Sequence, residues 1–149
     1  MTSTDETDET DERDLLGHVL LPVAHEDDAL ATARALKPYD PERVTALHVV
    51  EKGGGVPDKT PVEQSEELAA ESYAAVRTVF PDADEHIAYA RDVVDAILSS
   101  ADEVDATAIA YQSRGGNRLV QFLSGNLSTK LVTNSQVPVI ALPREGSAE

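Results

Sequence analysis

Five short apolar runs, each parted from the next by a longer segment of helical period, constrain this chain more than any other feature. The runs are Leu15 to Val23, Val44 to Val50, His86 to Tyr89, Ala106 to Tyr111 and Val137 to Leu142. Two parallel strands can lie side by side only if a long crossover, usually a helix, joins them. The expected order of elements is βαβαβαβαβ. The fold class is α/β: a doubly wound five-stranded parallel sheet, strand order 3-2-1-4-5, with helices on both faces.

The helical segments carry their own punctuation. Glu26, Asp27 and Asp28 place carboxylates where a first helix begins, Arg34 and Lys37 stand at its close, as the helix dipole favours, and Pro38 stops it. Gly53, Gly54, Gly55 and Pro57 mark a loop, after which Ala69, Tyr73, Val76 and Phe80 recur at helical spacing up to Pro81. Val93, Val94, Ile97, Leu98 and Ala101 form an i, i+3, i+4 stripe suited to face the sheet. A short helix from Asn126 to Asn134 precedes the last strand, which has Pro138 at its start.

Composition narrows the class further. With 149 residues the chain suits one domain, and with no cysteine it has neither a disulfide framework nor a thiolate metal site. No apolar run reaches the ~18 residues of a membrane span, and the acidic start is the reverse of a signal peptide, so a cytoplasmic protein is expected. Residues 1–14 repeat a Thr-Asp-Glu pattern with seven acids, and are expected to be a disordered acidic tail ahead of a domain over residues 15–149. The net charge of −16 disfavours nucleic acid and anionic membranes as partners. Self-repulsion on that scale is relieved where the Debye length falls to about 3 Å, in molar salt, so a salt-adapted protein is expected; an ordinary acidic protein is the alternative.

The charge is unevenly spread. Ala106 to Arg144 contains no Asp or Glu, yet it holds Arg114, Arg118, Lys130 and Arg144. An anionic ligand or a buried interface would exclude acids from such a stretch. In doubly wound sheets, ligands bind at the carboxyl ends of the strands where the strand order reverses, here between the first and fourth strands. Ser113 to Arg118 offers glycine N–H groups beside two guanidinium groups, and Gly125, Asn126, Ser128 and Thr129 stand at a helix start, an arrangement suited to phosphate. A simple turn at Gly115-Gly116 and a simple cap at Gly125-Asn126 account for the same residues without a ligand.

These residues resemble the universal stress protein family, whose members have this five-stranded fold and a nucleotide-binding signature, G-x2-G-x9-G-[ST], after the fourth strand. The resemblance covers Leu15 to Pro143 and includes V-L-L-P-V in the first strand, A-L-H-V-V in the second, V-D-A-T-A-I-A-Y before the glycines and P-V-I-A-L in the fifth. It implies ATP or a related adenine nucleotide as cofactor, with Mg²⁺ only as its companion. Pro22 and the backbone of Val49 would border the base, and Val23, Ala24, Tyr111, Gln112, Arg114, Gly115, Gly125, Asn126, Leu127 and Ser128 would complete the nucleotide site. Gly115 and Gly125 keep the nine-residue spacing, but Gln112 replaces the first glycine and Asn126 the final Ser/Thr. A side chain at position 112 is costly if the backbone there needs positive φ, and its amide competes for ligand space. The first strand ends Pro22-Val23-Ala24 where ATP-binding members resemble P-T-D, so the ligand-facing Asp is missing.

Catalytic motifs are absent: there is no G-x4-G-K-[ST] loop, no G-x-S-x-G elbow and no G-x-G-x-x-G after the first strand. A receiver domain would need an Asp after the third strand, where Tyr89-Ala90 stand. His25 beside Glu26, Asp27 and Asp28 suggests a metal site on paper, yet consecutive residues at a helix start point in different directions, and the acids suit the helix dipole. His18, His48 and His86 read as structural. The expected role is therefore non-enzymatic: a regulatory stress-response sensor of adenine nucleotide. The alternative is a homodimeric interaction module of the same fold without nucleotide. The resemblance implies homodimerisation through the fifth strand, Val137 to Leu142.

Overall fold

The computed structural model describes residues 14–23, 26–51, 59–112 and 125–142. The strands are β1 (Val19–Val23), β2 (Val44–Glu51), β3 (Asp84–Ala90), β4 (Ala108–Gln112) and β5 (Val139–Leu142). The helices are α1 (Glu26–Leu36), α2 (Lys59–Val79), α3 (Val93–Glu103) and α4 (Gly125–Asn134), with a 3-10 turn at Lys37–Tyr39. All strand pairs are parallel, in the order β3-β2-β1-β4-β5. This is the expected 3-2-1-4-5 topology.

Alternation along each strand divides the core in two, because successive side chains point to opposite faces. Val19, Leu21 and Val23 of β1 join Val44, Ala46, Ala110 and Leu142 under Ala29, Ala33 and Leu36 of α1 and Tyr73 and Val76 of α2. Leu20, Leu47, Ile109 and Tyr111 turn to the other face, under Val93, Val94 and Ile97 of α3 and Leu131 of α4. The expected stripe on α3 is buried as read, with Leu98 only partly so. Phe80 lies past the end of α2, which stops at Val79.

β1, β4 and β5 start later than the apolar runs that announce them, β2 starts at Val44 as expected, and β3 starts two residues early at Asp84. Residues 14–17 close a turn through Gly17 N–H donating to Asp14 O (3.0 Å), so β1 begins at Val19 rather than Leu15. Before β4, α3 ends in a Schellman turn. Ala106 N donates to Ala101 O (2.9 Å) and Asp105 N to Asp102 O (3.2 Å), while Asp105 takes the left-handed φ of 59° that closes the motif. The first residue of that apolar run is thus spent ending a helix. Pro38 does not simply stop α1; it opens the 3-10 turn.

At the amino ends of the strands His18 ties three of them together. Its ring Nε2 lies 2.7 Å from Thr45 Oγ1 in β2, and its N–H donates to Thr107 Oγ1 (2.9 Å) just ahead of β4. Burial, helped by the Arg43 guanidinium, pushes its pKa below 6.5, against the opposing pull of Asp84 and of the carbonyls of Val104 and Asp105. The unfolded chain therefore takes up this proton first. Stability should be complete above about pH 6.5 and should fall as the pH drops below it, until the folded ring also protonates. Urea midpoints at pH 7.5 and 5.5 read this slope; His18→Gln, which keeps a donor for Thr45, should flatten it. An unchanged slope in that variant would assign the effect to another group.

Candidate functional site

The order reverses between β1 and β4, and there the sheet opens. β1 pairs with β2 along its whole length, from Val19–Val44 to Val23–His48, and β4 pairs with β5 up to Gln112–Leu142. By contrast the β1–β4 pairing comprises only Val19–Ala108 and Leu20–Ile109. Pro22 supplies the cause. In a parallel strand, main-chain groups of alternate residues face opposite neighbours, and Val19 N–H donates toward β2, to Arg43 O (2.9 Å). Leu20 and Pro22 consequently face β4, and proline brings no N–H to that side. The ladder ends there, leaving a gap at the carboxyl ends of the two strands, the place where such sheets take ligands.

The gap has two faces, and the candidate residues divide between them. Pro22, by alternation from Leu20, shares the α3/α4 face with Tyr111 and Val49, both of which belong to that core cluster. Val49 stands one residue beyond His48, the partner of Val23, so it overhangs the end of β1. α4 packs on this same face through Leu131, and its first residues, Gly125, Asn126, Leu127 and Ser128, lie at the ligand end because a crossover helix runs opposite to its strands. Val23 turns to the α1/α2 face, as does Gln112 by alternation from Ala110.

Gln112 is the last residue of β4, paired with Leu142 and 4% exposed. Among the described residues only Asp40 and Asp105 are non-glycines with positive φ. The side chain therefore carries no backbone penalty, and its amide is directed away from the face that holds α4. Ala24, His25, Arg114, Gly115 and Gly116 lie outside the described residues, as do the loop at Gly53 to Pro57 and the tail through residue 13. Sequence reasoning missed Asp92, and with it the contact that Lys130 makes. Asp92 caps α3, its Oδ1 accepting from Asp95 N–H (3.0 Å), and Lys130 Nζ of α4 donates to its Oδ2 (2.9 Å). The Lys130 hydrogen bond holds the Asp92 carboxyl below the usual range, and the same contact raises the lysine. The acid-free run ending at Arg144 had flagged Lys130, but nothing local tied it to an aspartate 38 positions earlier.

His18 and His48 are buried and His86 is half-buried; His86 Nε2 lies 3.1 Å from Glu103 Oε1. Among the described residues no three His, Asp or Glu side chains gather to hold a metal ion, and no helix is long and apolar enough to cross a membrane.

The topology defines a doubly wound α/β protein whose β1–β4 ladder is cut short at the switch point. The model of the universal stress protein family matches residues 16–143, and the chain belongs to that family. A comparison with curated proteins finds no match. Among solved structures it is similar to the universal stress protein from Archaeoglobus fulgidus in complex with dAMP, at 22% identity and TM-score 0.64, covering 86% of this chain and 98% of that one. It is also similar to the universal stress protein UspA from Lactobacillus plantarum, at 20% identity and TM-score 0.61, covering 85% and 97%. A family member from Arabidopsis thaliana with AMP bound is similar at 16% identity and TM-score 0.57, covering 87% and 93%. These identities speak for the fold.

Proposed function

We propose that this universal stress protein is a non-catalytic regulator that binds an adenine nucleotide between β1 and β4. The observation that carries the reading is the β1–β4 ladder ending at Leu20–Ile109, at the switch point, opposite Pro22. Pro22, Val49 and Tyr111 offer an apolar border for a base, and the N–H groups at the start of α4 offer donors for a phosphate. The dAMP and AMP complexes of the A. fulgidus and A. thaliana proteins support that ligand class. ATP belongs to the same class, with Mg²⁺ bound only through its phosphates. Mass spectrometry of denatured, freshly purified protein tests for nucleotide retained from expression. An adenine nucleotide in the released fraction is the expected result; a fraction free of nucleotide, from protein that also fails to take up AMP when supplied, leaves the interaction-module alternative standing.

The protein works, in this reading, as a cytoplasmic homodimer joined through β5. Its surplus of 28 acids over 12 bases suits concentrated salt, where screening removes most self-repulsion. Its melting temperature should rise as KCl goes from low to molar concentration. A salt-independent melting temperature would contradict the adaptation.

A further inference from the structure

We infer that the Lys130–Asp92 ion pair is a strap that positions the ligand end of α4, and thereby sets the affinity of the crevice; the second half of this inference rests on the nucleotide reading above. α4 is thinly held. Of its described side chains, Thr129 to Asn134, only Leu131 is buried, and Val132 beside it is 53% exposed. The bonds of Thr133 to Thr129 O and of Asn134 to Lys130 O stay within the helix. Rocking of the helix about the Leu131 anchor would displace the turns toward Gly125, which are those a phosphate would need held still.

The strap adds a polar point of attachment beside that anchor. Lys130 is adjacent to the Leu131 anchor on its amino-terminal side and reaches the residue that opens α3, also at the ligand end of the sheet. The carboxylate it meets is already oriented, because Asp92 Oδ1 is engaged by Asp95 N–H as the helix cap. Fixing the acceptor this way means that the pair forms without freezing two free side chains. Asp95 is the other acid near the ammonium and reinforces its charge. Both partners are partly exposed, 46% and 38%, so the strap weakens as salt rises.

Asp92→Asn separates the strap from the cap, since asparagine caps a helix as well as aspartate but carries no charge. Hydrogen exchange of the α4 amides, measured without ligand in low-salt buffer, should quicken about twofold to fivefold in Asp92→Asn and equally in Lys130→Met. The double variant should be no faster than either single one, and α3 exchange in Asp92→Asn should stay as in the parent. AMP affinity should fall by a similar factor with the same non-additivity. Unchanged α4 exchange would overturn the strap. Tighter AMP binding by Asp92→Asn would also overturn it, by showing that Lys130 binds phosphate itself and that Asp92 withholds it. If the parent takes up no AMP while the exchange effect stands, the nucleotide reading falls and the strap survives as an anchor of α4.

Discussion

Leu131→Ala is expected to destabilise the protein by about 2–5 kcal/mol, the range for emptying a fully buried leucine site. Leu131 is completely buried among Leu20, Leu47, Ile97 and Ile109, and it is the one described α4 side chain that reaches the core. The truncation removes apolar contact and leaves a space that α3 and the sheet cannot collapse to fill, because β4 and β5 are held in register beneath it. Val132→Ala, one position along at an exposed site, should change stability by no more than about 0.5 kcal/mol. Urea unfolding compares the two through their midpoints at constant slope. Similar midpoints for both variants would mean that α4 does not seat as described. Where Leu131→Ala is too unstable to purify, Leu131→Val should lie between it and the parent.

A second large effect is expected at β5, where Ala141→Arg should turn the proposed homodimer into a monomer. β5 is an edge strand, so one side of its main chain is left for pairing with a second copy. Its side chains are not equivalent. Val139 and Ile140 pack partly into opposite core clusters and Leu142 is buried, whereas Ala141 is exposed. A charge at Val139 would disturb the fold as well as the contact; at the exposed Ala141 it spares the described core. Paired arginines related by a two-fold axis would repel and lose their water. Light scattering with size exclusion should show half the parent mass, with an unchanged melting profile at high protein dilution. A dimer of unaltered mass would place the contact elsewhere on the surface.

Periodicity carried the fold because it reports burial directly: the Val93, Val94, Ile97, Ala101 stripe could face only a sheet, and five β-type runs joined by helices leave few topologies. Boundaries were less legible. Leu15, Leu16 and Ala106 are apolar like strand residues, yet they serve a turn and a helix end, roles that depend on hydrogen bonds across the chain. The candidate site was legible in place but not in facing. Pro22 was visible as a border of the base and Gln112 as a departure from the glycine signature. What each does depends on which neighbour its main chain addresses and on which face its side chain emerges. Those are properties of register, which a single sequence does not display. The Lys130–Asp92 pair was hidden for the same reason, since two helices on one face of a sheet bring together residues with no local relation.

Titration calorimetry in molar KCl tests the proposed nucleotide crevice at the β1/β4 gap. AMP and ATP with Mg²⁺ would be titrated into folded protein shown to be free of retained nucleotide. The expected result is micromolar binding at one site per chain, weakened when Arg114 is replaced by alanine. Folded protein that releases no heat with either nucleotide would contradict the claim, and the gap beside Pro22 would then be a feature of the sheet without a nucleotide to fill it.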